Sequence, residues 1–382
     1  MIDNIRRKFV SLYKEEPIIV RSPGRINLIG EHTDYNNGFV LPAAIDKAIY
    51  VAVTARTDEE IYMFAVDEND DYQGNIKQLM KSGKQWPDFI LGSLQQLQIH
   101  NYHTAGFNLV VGGDVPLGAG LSSSAALECA SLFAFKQIFK LDISLLDIVK
   151  MAQRAENDFV GVQCGIMDQF ASGFGKKNHV IKLDCRSLEY EYKPFMPDDV
   201  EIILLNTNVK HSLADTEYNT RRKQCEKGVA LIKKKYAEVE SLRDATLEMV
   251  EELIKPVDEI VYRRCVFMVT EIKRVPDACA DLDNKDIAAF GKKMFEAHEG
   301  LSKDYEVSCK ELDFLVDHVR QFPAVIGARM MGGGFGGCTI NLVKKEAIDR
   351  IINDINIDYK NAMGLELTMY RVSIENGTGL IN

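Results

Sequence analysis

Apolar and polar residues follow two different rhythms along the chain. In the first half, β-branched and aromatic runs of strand length alternate with turn residues: IYVAVTART from Ile49, IYMFAVD from Ile61 and GFNLVVGG from Gly106. These runs predict strands. Between Val229 and Ile326 only Gly291 and Gly300 interrupt a long charged region, and KKKYAEVESLRDATLEMVEELI, residues 233–254, is helix-like. ELTMYRVSIENG, residues 366–377, reads as a final strand. The pattern predicts an α/β chain of the α+β type in two lobes. A mixed lobe spans 1–196 and a helix-richer lobe 197–382, divided at the turn around Pro197, Asp198 and Asp199, with the last strand free to cross back.

One helix is predicted in more detail. Ser144 and Asp147 have capping-box spacing, and Ile148, Met151, Ala152, Ala155 and Phe159 then recur at helical spacing, which marks a core face. Glu156 falls near the end of this helix, where the dipole mildly disfavours a carboxylate. It is either a solvated acid of the last turn or an acid with a special role.

Three glycine-rich stretches carry the candidate chemistry. In PLGAGLSSSAALECA, Gly118 and Gly120 permit a tight path with N–H groups turned inward, and the serines open a helix whose first N–H groups lack partners. Gly118, Ala119, Gly120, Leu121, Ser122, Ser123 and Ser124 thus form a candidate anion pocket without a positive side chain. Three consecutive hydroxyls exceed the needs of a simple N-cap. MGGGFGG, residues 331–337, matches a dinucleotide fingerprint literally, but the following CTINLV reads as a strand where that fold needs a helix. A hairpin, or a close backbone approach to a ligand, accounts for it better. In RSPGRINLIGEHTDYNNGFVLP, Arg25, Glu31, His32 and Asp34 surround the apolar INLIG, a set suited to several hydroxyl contacts, as on a sugar. Asp168 is a lone acid among apolar residues in VQCGIMDQFASGFG, so a general base and a buried ion pair both explain it.

Composition narrows the function. The 382 residues are 46% hydrophobic and 27% charged, as in an ordinary globular protein, and carry a formal charge of -10. No basic excess exists for nucleic acid or a membrane surface, so neither is expected as a partner. Eight cysteines scatter from Cys129 to Cys338 without a C-x-x-C pair, which speaks against a disulfide framework or structural zinc. With no apolar run of 18 residues and no leader-like start, a cytoplasmic location is expected.

The motifs RSPGRINLIGEHTDYNNGFVLP, VPLGAGLSSSAALE, AENDFVGVQCGIMDQFAS, EYNTRRKQCE and MGGGFGGCTINLV stand in the order and spacing of the galactokinases, within the GHMP family of small-molecule kinases, and the chain resembles them over nearly its whole length. The resemblance implies the two-lobed GHMP kinase fold with the active site between the lobes. It implies ATP phosphates on the serine loop, Mg²⁺ held by Ser124 and Glu156, and Asp168 as catalytic base with Arg25 as its basic partner. Glu31, His32, Thr33, Asp34, Gly165 and Tyr218 would line a galactose pocket, and the third glycine loop, Gly332 to Gly337, would lie near the cleft and support the substrate and phosphate loops. The product would be galactose 1-phosphate, and a monomer is expected. One departure is Ser22, where Ala is usual. An N-acetylgalactosamine kinase is the nearest alternative, but that group carries EHIDY and GGMDQ where this chain has EHTDY and GIMDQ. A non-catalytic galactose and ATP sensor would lack the Ser-Ala pair that Ser124 and Ala125 provide here. Trp86, in WPDFILGSL, is either a nucleotide-side or a plain core residue.

Overall fold

A computed structural model of the chain describes residues 1–116, 118–195, 197–209 and 214–381. Two residues used above, Leu117 in the serine loop and Met196 at the expected lobe boundary, lie outside the described residues.

The strands predicted from the first half form one sheet. Its order is Gly379–Leu380, Ile18–Asn27, Pro42–Ala55, Phe107–Gly113, Glu60–Ala65, Asp70–Asn75. All pairings are antiparallel except Glu60–Ala65 on Phe107–Gly113, which is parallel. Helix Ser123–Ile138 packs on strands Ile18–Asn27 and Pro42–Ala55, and the largely buried helix Gln85–Ile99 packs against that helix and the turn Ala155–Val160. A three-stranded sheet, Phe39–Val40, His179–Asp184, Tyr190–Pro194, completes this half. The second half builds a four-stranded sheet in the order Val325–Met330, Cys338–Lys344, Val200–Asn206, Thr368–Val372. One continuous apolar core runs from Val20 and Ile26 of the first sheet to Leu204 and Ile340 of the second, which binds the two halves together.

Three local readings need adjustment. Residues 233–254 are only partly helical: helix Ala214–Ile232 ends before them and Leu247–Leu253 is a single short helix. Between them Asp244 accepts from the backbone N–H of Glu240 and Ser241, and such local side-chain bonds compete with helix formation. The predicted final strand shrinks to Thr368–Val372 on the second sheet, and a separate pair, Gly379–Leu380, crosses to Ile18–Asn27. There Ser22 Oγ lies 2.8 Å from Thr378 Oγ1, so the unusual serine ties the terminal segment to the first sheet. The helix opened by Ser144 is capped as predicted, with the Ser144 side chain accepting from Asp147 N. It is α-helical only over Leu145–Arg154 and continues as a π-helical turn, Ala155–Val160, that carries Glu156.

Candidate active site

The centre of the site is an ion pair between residues far apart in sequence. Arg25 ends a strand of the first sheet, and Asp168 opens helix Met167–Phe174. Their contact is bidentate, Nε to Oδ1 and Nη2 to Oδ2, both 2.7 Å, a geometry that fixes both groups. Arg25 Nη1 also donates to the Gly120 carbonyl at 2.6 Å, and its backbone N–H donates to Leu121 O at 3.0 Å. Burial by itself lowers the Arg25 pKa, but the charge and hydrogen bonds of Asp168 outweigh it and the net shift is upward. The acid that the sequence leaves between two roles is therefore paired, yet Asp168 keeps 26% of its side chain exposed to a cavity.

That cavity, of about 170 Å³, is walled by Arg25, Glu31, His32, Asp34, Gly165, Asp168 and Tyr218. Burial, then the nearby Asp168 charge, pushes the Asp34 carboxyl up to about 7. Burial pushes the His32 imidazole down to about 3, aided by Arg221 and Arg329 against a backbone hydrogen bond at Gly333, so His32 is neutral. Gly165 is required by space: a Cβ there would overlap the Asp34 carboxylate. Tyr218 closes the wall with its ring 5.2 Å from that of His32. Glu31 faces the cavity and also holds the third glycine loop, Oε1 accepting from Gly332 N at 2.8 Å and Arg329 Nη2 at 3.1 Å. Thr33 does not line the cavity. Its buried hydroxyl is shared between the carbonyls of Gly30 and Phe39, at 2.9 and 2.6 Å, and shapes the loop instead.

A second, larger pocket of about 790 Å³ adjoins the first and is lined by Gly118, Ser123, Ser124, Trp86, Phe89 and Leu127, among others. Glu156 and Val162 line both spaces, so the π-helical turn forms the partition. Helix Ser123–Ile138 points its N-terminus here, and no side chain caps it. Ser122 adopts the left-handed conformation (φ 57°) and turns its hydroxyl to Asp168, not to the helix. Ala119 and Leu121 are buried beneath the loop. Of the seven loop residues, Gly118, Ser123 and Ser124 thus face the pocket, while Ser122 and Gly120 serve the ion pair. Trp86 is buried, donates Nε1 to Asp70 at 3.0 Å, and lines this pocket.

Glu156 is buried, which removes the solvated reading. Burial, then Asp168, pushes its carboxyl up to about 7, while hydrogen bonds from Ser124, Cys164 and Gln169 act in the opposite direction. No group of three or more His, Cys, Asp or Glu able to hold a metal occurs among the described residues. A hydroxyl and a carboxylate at the partition suit a hard cation that keeps most of its ligands as water and phosphate oxygens, as Mg²⁺ does. The glycines of 331–337 join two antiparallel strands, and Gly332 and Gly334 reach the smaller cavity, so the dinucleotide-fold reading fails.

The galactokinase galactose-binding signature matches residues 7–55, the GHMP kinase N-terminal domain residues 88–176 and the GHMP kinase C-terminal domain residues 278–361. The chain is 40% identical to the galactokinase of Fusobacterium nucleatum over the full length of both, and 39% identical to that of Clostridium beijerinckii over 99% of this chain and 98% of the relative. The chain belongs to the galactokinases. It is accordingly an ATP-dependent sugar kinase of the GHMP fold. The crystal structure of Lactococcus lactis galactokinase complexed with galactose superposes with a TM-score of 0.95 at 31% identity, covering all of both chains. Methanococcus jannaschii mevalonate kinase, at 17% identity, TM-score 0.66 and coverage of 95% of this chain and all of that one, shares the fold.

Set against this galactokinase site, the sequence reading misses several residues. Tyr35 OH lies 2.8 Å from His32 Nδ1 and 2.7 Å from Tyr305 OH, which orients the imidazole. Arg329, fully buried, donates to the carbonyls of Asn27, Leu28 and Met330 as well as to Glu31. Gln169, next to Asp168, donates to Glu156 at 2.7 Å and to buried Glu128 at 3.2 Å. Tyr305 and Arg329 look like ordinary core and strand residues in sequence. Glu128 alone leaves a signal, an acid inside the apolar helical run AALECA. Among the described residues no helix is long and apolar enough to cross a membrane.

Proposed function

We propose that galactose occupies the smaller cavity and ATP the larger pocket, and that the γ-phosphoryl group passes to the C1 hydroxyl, giving galactose 1-phosphate and ADP. Asp168 accepts the proton of that hydroxyl. Arg25, ion-paired to it, supplies the positive charge that offsets the developing alkoxide. Phosphoryl transfer needs in-line positioning and charge neutralisation more than covalent chemistry. The free N–H groups that open helix Ser123–Ile138, with Gly118, Ser123 and Ser124, receive the nucleotide phosphates. Ser124 and Glu156 are the residues that would hold Mg²⁺, which supplies neutralisation of phosphate charge when bound. Glu31, neutral His32, Asp34 and Tyr218 engage the sugar hydroxyls, and Gly165 leaves room for the Asp34 carboxylate. The two-lobe division near residue 196 is supported by sheet membership, since the four-stranded sheet draws only on residues after it.

The observation that carries this reading is the tie between the phosphate loop and the smaller cavity: Asp168 and Arg25 face that cavity while Ser122 and Gly120 of the loop bond to that same pair. The test is Asp168→Asn, which keeps shape and removes the base. Galactose binding by calorimetry is expected to persist while kcat falls by ~10²–10⁴-fold, the usual worth of general-base catalysis. A folded Asp168→Asn protein with near wild-type kcat would show that Asp168 is a structural acid.

A further inference from the structure

We infer that Glu128, which lines neither pocket, is a positioning residue for Glu156: through the Gln169 amide it fixes the direction in which the Glu156 carboxylate faces the nucleotide pocket. Four observations converge on this. Glu128 is completely buried, on helix Ser123–Ile138, four residues after Ser124 and so on the same helical face. Among the described residues it is in no ion pair, and the charged groups that act most on it are acids, Glu156 and Asp168. It accepts, among the described residues, from Gln169 Nε2, 3.2 Å from Oε2, and its carboxyl also lies within side-chain hydrogen-bond reach of that of Glu156. The same Gln169 nitrogen lies 2.7 Å from Glu156 Oε2.

A primary amide has two N–H donors on one nitrogen. With one taken by Glu128, the other is directed at Glu156. The Gln169 carbonyl oxygen is itself buried and unpartnered, so the two carboxyl acceptors, and not a bond of its own, set which way the amide faces. Remove Glu128 and the amide nitrogen loses one of its two carboxyl anchors, so the direction of its bond to Glu156 is no longer fixed. Three elements are tied at this point: the helix that bears Ser124, the π-helical turn that bears Glu156, and the helix that bears Asp168. A buried carboxyl is an expensive way to fill space among apolar neighbours, and side chains behind a metal ligand typically carry a tenfold to hundredfold share of metal affinity.

This inference rests on the reading of Glu156 as a metal-holding residue, and the experiment separates the two. The probe is Mn²⁺, titrated by EPR into the protein–ADP complex, for wild type, Glu156→Gln, Glu128→Gln, Glu128→Met and Gln169→Met. Glu128→Gln retains an oxygen acceptor for Gln169 and is expected to bind Mn²⁺ like wild type. Glu128→Met and Gln169→Met are expected to weaken it by ~10-fold or more, and the double variant by no more than either alone, because both break one bridge. Galactose affinity by calorimetry is expected to stay unchanged in the Glu128 variants, since Glu128 lines neither pocket. If Glu128→Met does not fold, Gln169→Met decides. Wild-type Mn²⁺ affinity in a folded bridge-breaking variant, with Glu156→Gln weakened, overturns the positioning role alone. Unchanged affinity in Glu156→Gln overturns the metal reading and the positioning role with it.

Discussion

Four carboxyls line the small cavity, and the environments of three of them, Glu31, Asp34 and Asp168, set them apart from one another. Glu31 is bound to Arg329 and Gly332, Asp168 to Arg25, while Asp34 has, among the described residues, only the Tyr35 N–H, 3.0 Å from its Oδ1. With the Asp34 pKa raised to about 7 against an ordinary 3.8, the ligand-free native state favours a proton there, between about pH 4 and 7, that the unfolded chain releases. Its stabilising contribution is therefore complete below about pH 4 and is lost as pH rises towards 7. In Asp34→Asn that slope disappears. Unfolding free energy measured by urea between pH 4 and 7, without substrates, is expected to fall less steeply than in wild type, by at most ~1.4 kcal/mol per pH unit. An identical slope in both proteins would mean that Asp34 is ionised throughout. At this scale the sequence isolates Asp168 by its apolar setting, but not the partner 143 residues away. Pairing across that distance is a property of the fold. Glu128 and Arg329 become chemically significant only because they are buried, and single positions do not declare burial.

Among the elements, strands and the capped helix are legible because each rests on a local rule: alternation for the strands, and the Ser144 cap with a periodic apolar face for the helix. The π-helical turn is not legible, since residues 155–160 continue the apolar spacing of the helix before them. Such turns recur at functional sites, and here it brings Glu156 to the partition of the two spaces. The serine loop is legible as an anion site but not in its division of labour, because Ser122 leaves the helix for Asp168. Gly165 belongs to this scale as well, since the stretch after Gly161 must pass against the sugar loop. In Gly165→Ala the added methyl displaces the Asp34 carboxylate. Steady-state kinetics are expected to show kcat/KM for galactose lower by ~10²-fold, the cost of an ångström-scale misplacement, with the KM for ATP nearly unchanged. An unaffected galactose KM would remove Asp34 from the sugar contacts.

For the molecule as a whole, two sheets and a shared core hold a cleft whose walls come from both halves, and Arg329 is the strut between them. It rises from the hairpin of the second sheet and binds Asn27, Leu28 and Glu31 of the first half. Arg329→Met leaves Glu31 buried without its cation, and urea unfolding is expected to show a loss of ~3–5 kcal/mol. A loss below 1 kcal/mol would mean that Gly332 alone satisfies Glu31. The two-half organisation is visible in the distribution of glycines and charged runs, whereas the crossing of Gly379–Leu380 to the first sheet is too short to leave a pattern. The central claim, that this cleft phosphorylates galactose, is tested most directly by kcat/KM for galactose, glucose and N-acetylgalactosamine with Mg-ATP. A buried polar group that loses its hydroxyl partner costs ~1–3 kcal/mol, so two such losses with glucose are expected to lower efficiency at least ~100-fold. N-acetylgalactosamine adds bulk at C2 inside a cavity of about 170 Å³ and is expected to be both a poor substrate and a weak competitor. N-acetylgalactosamine matching galactose, or ADP release from none of the three sugars, would contradict the account.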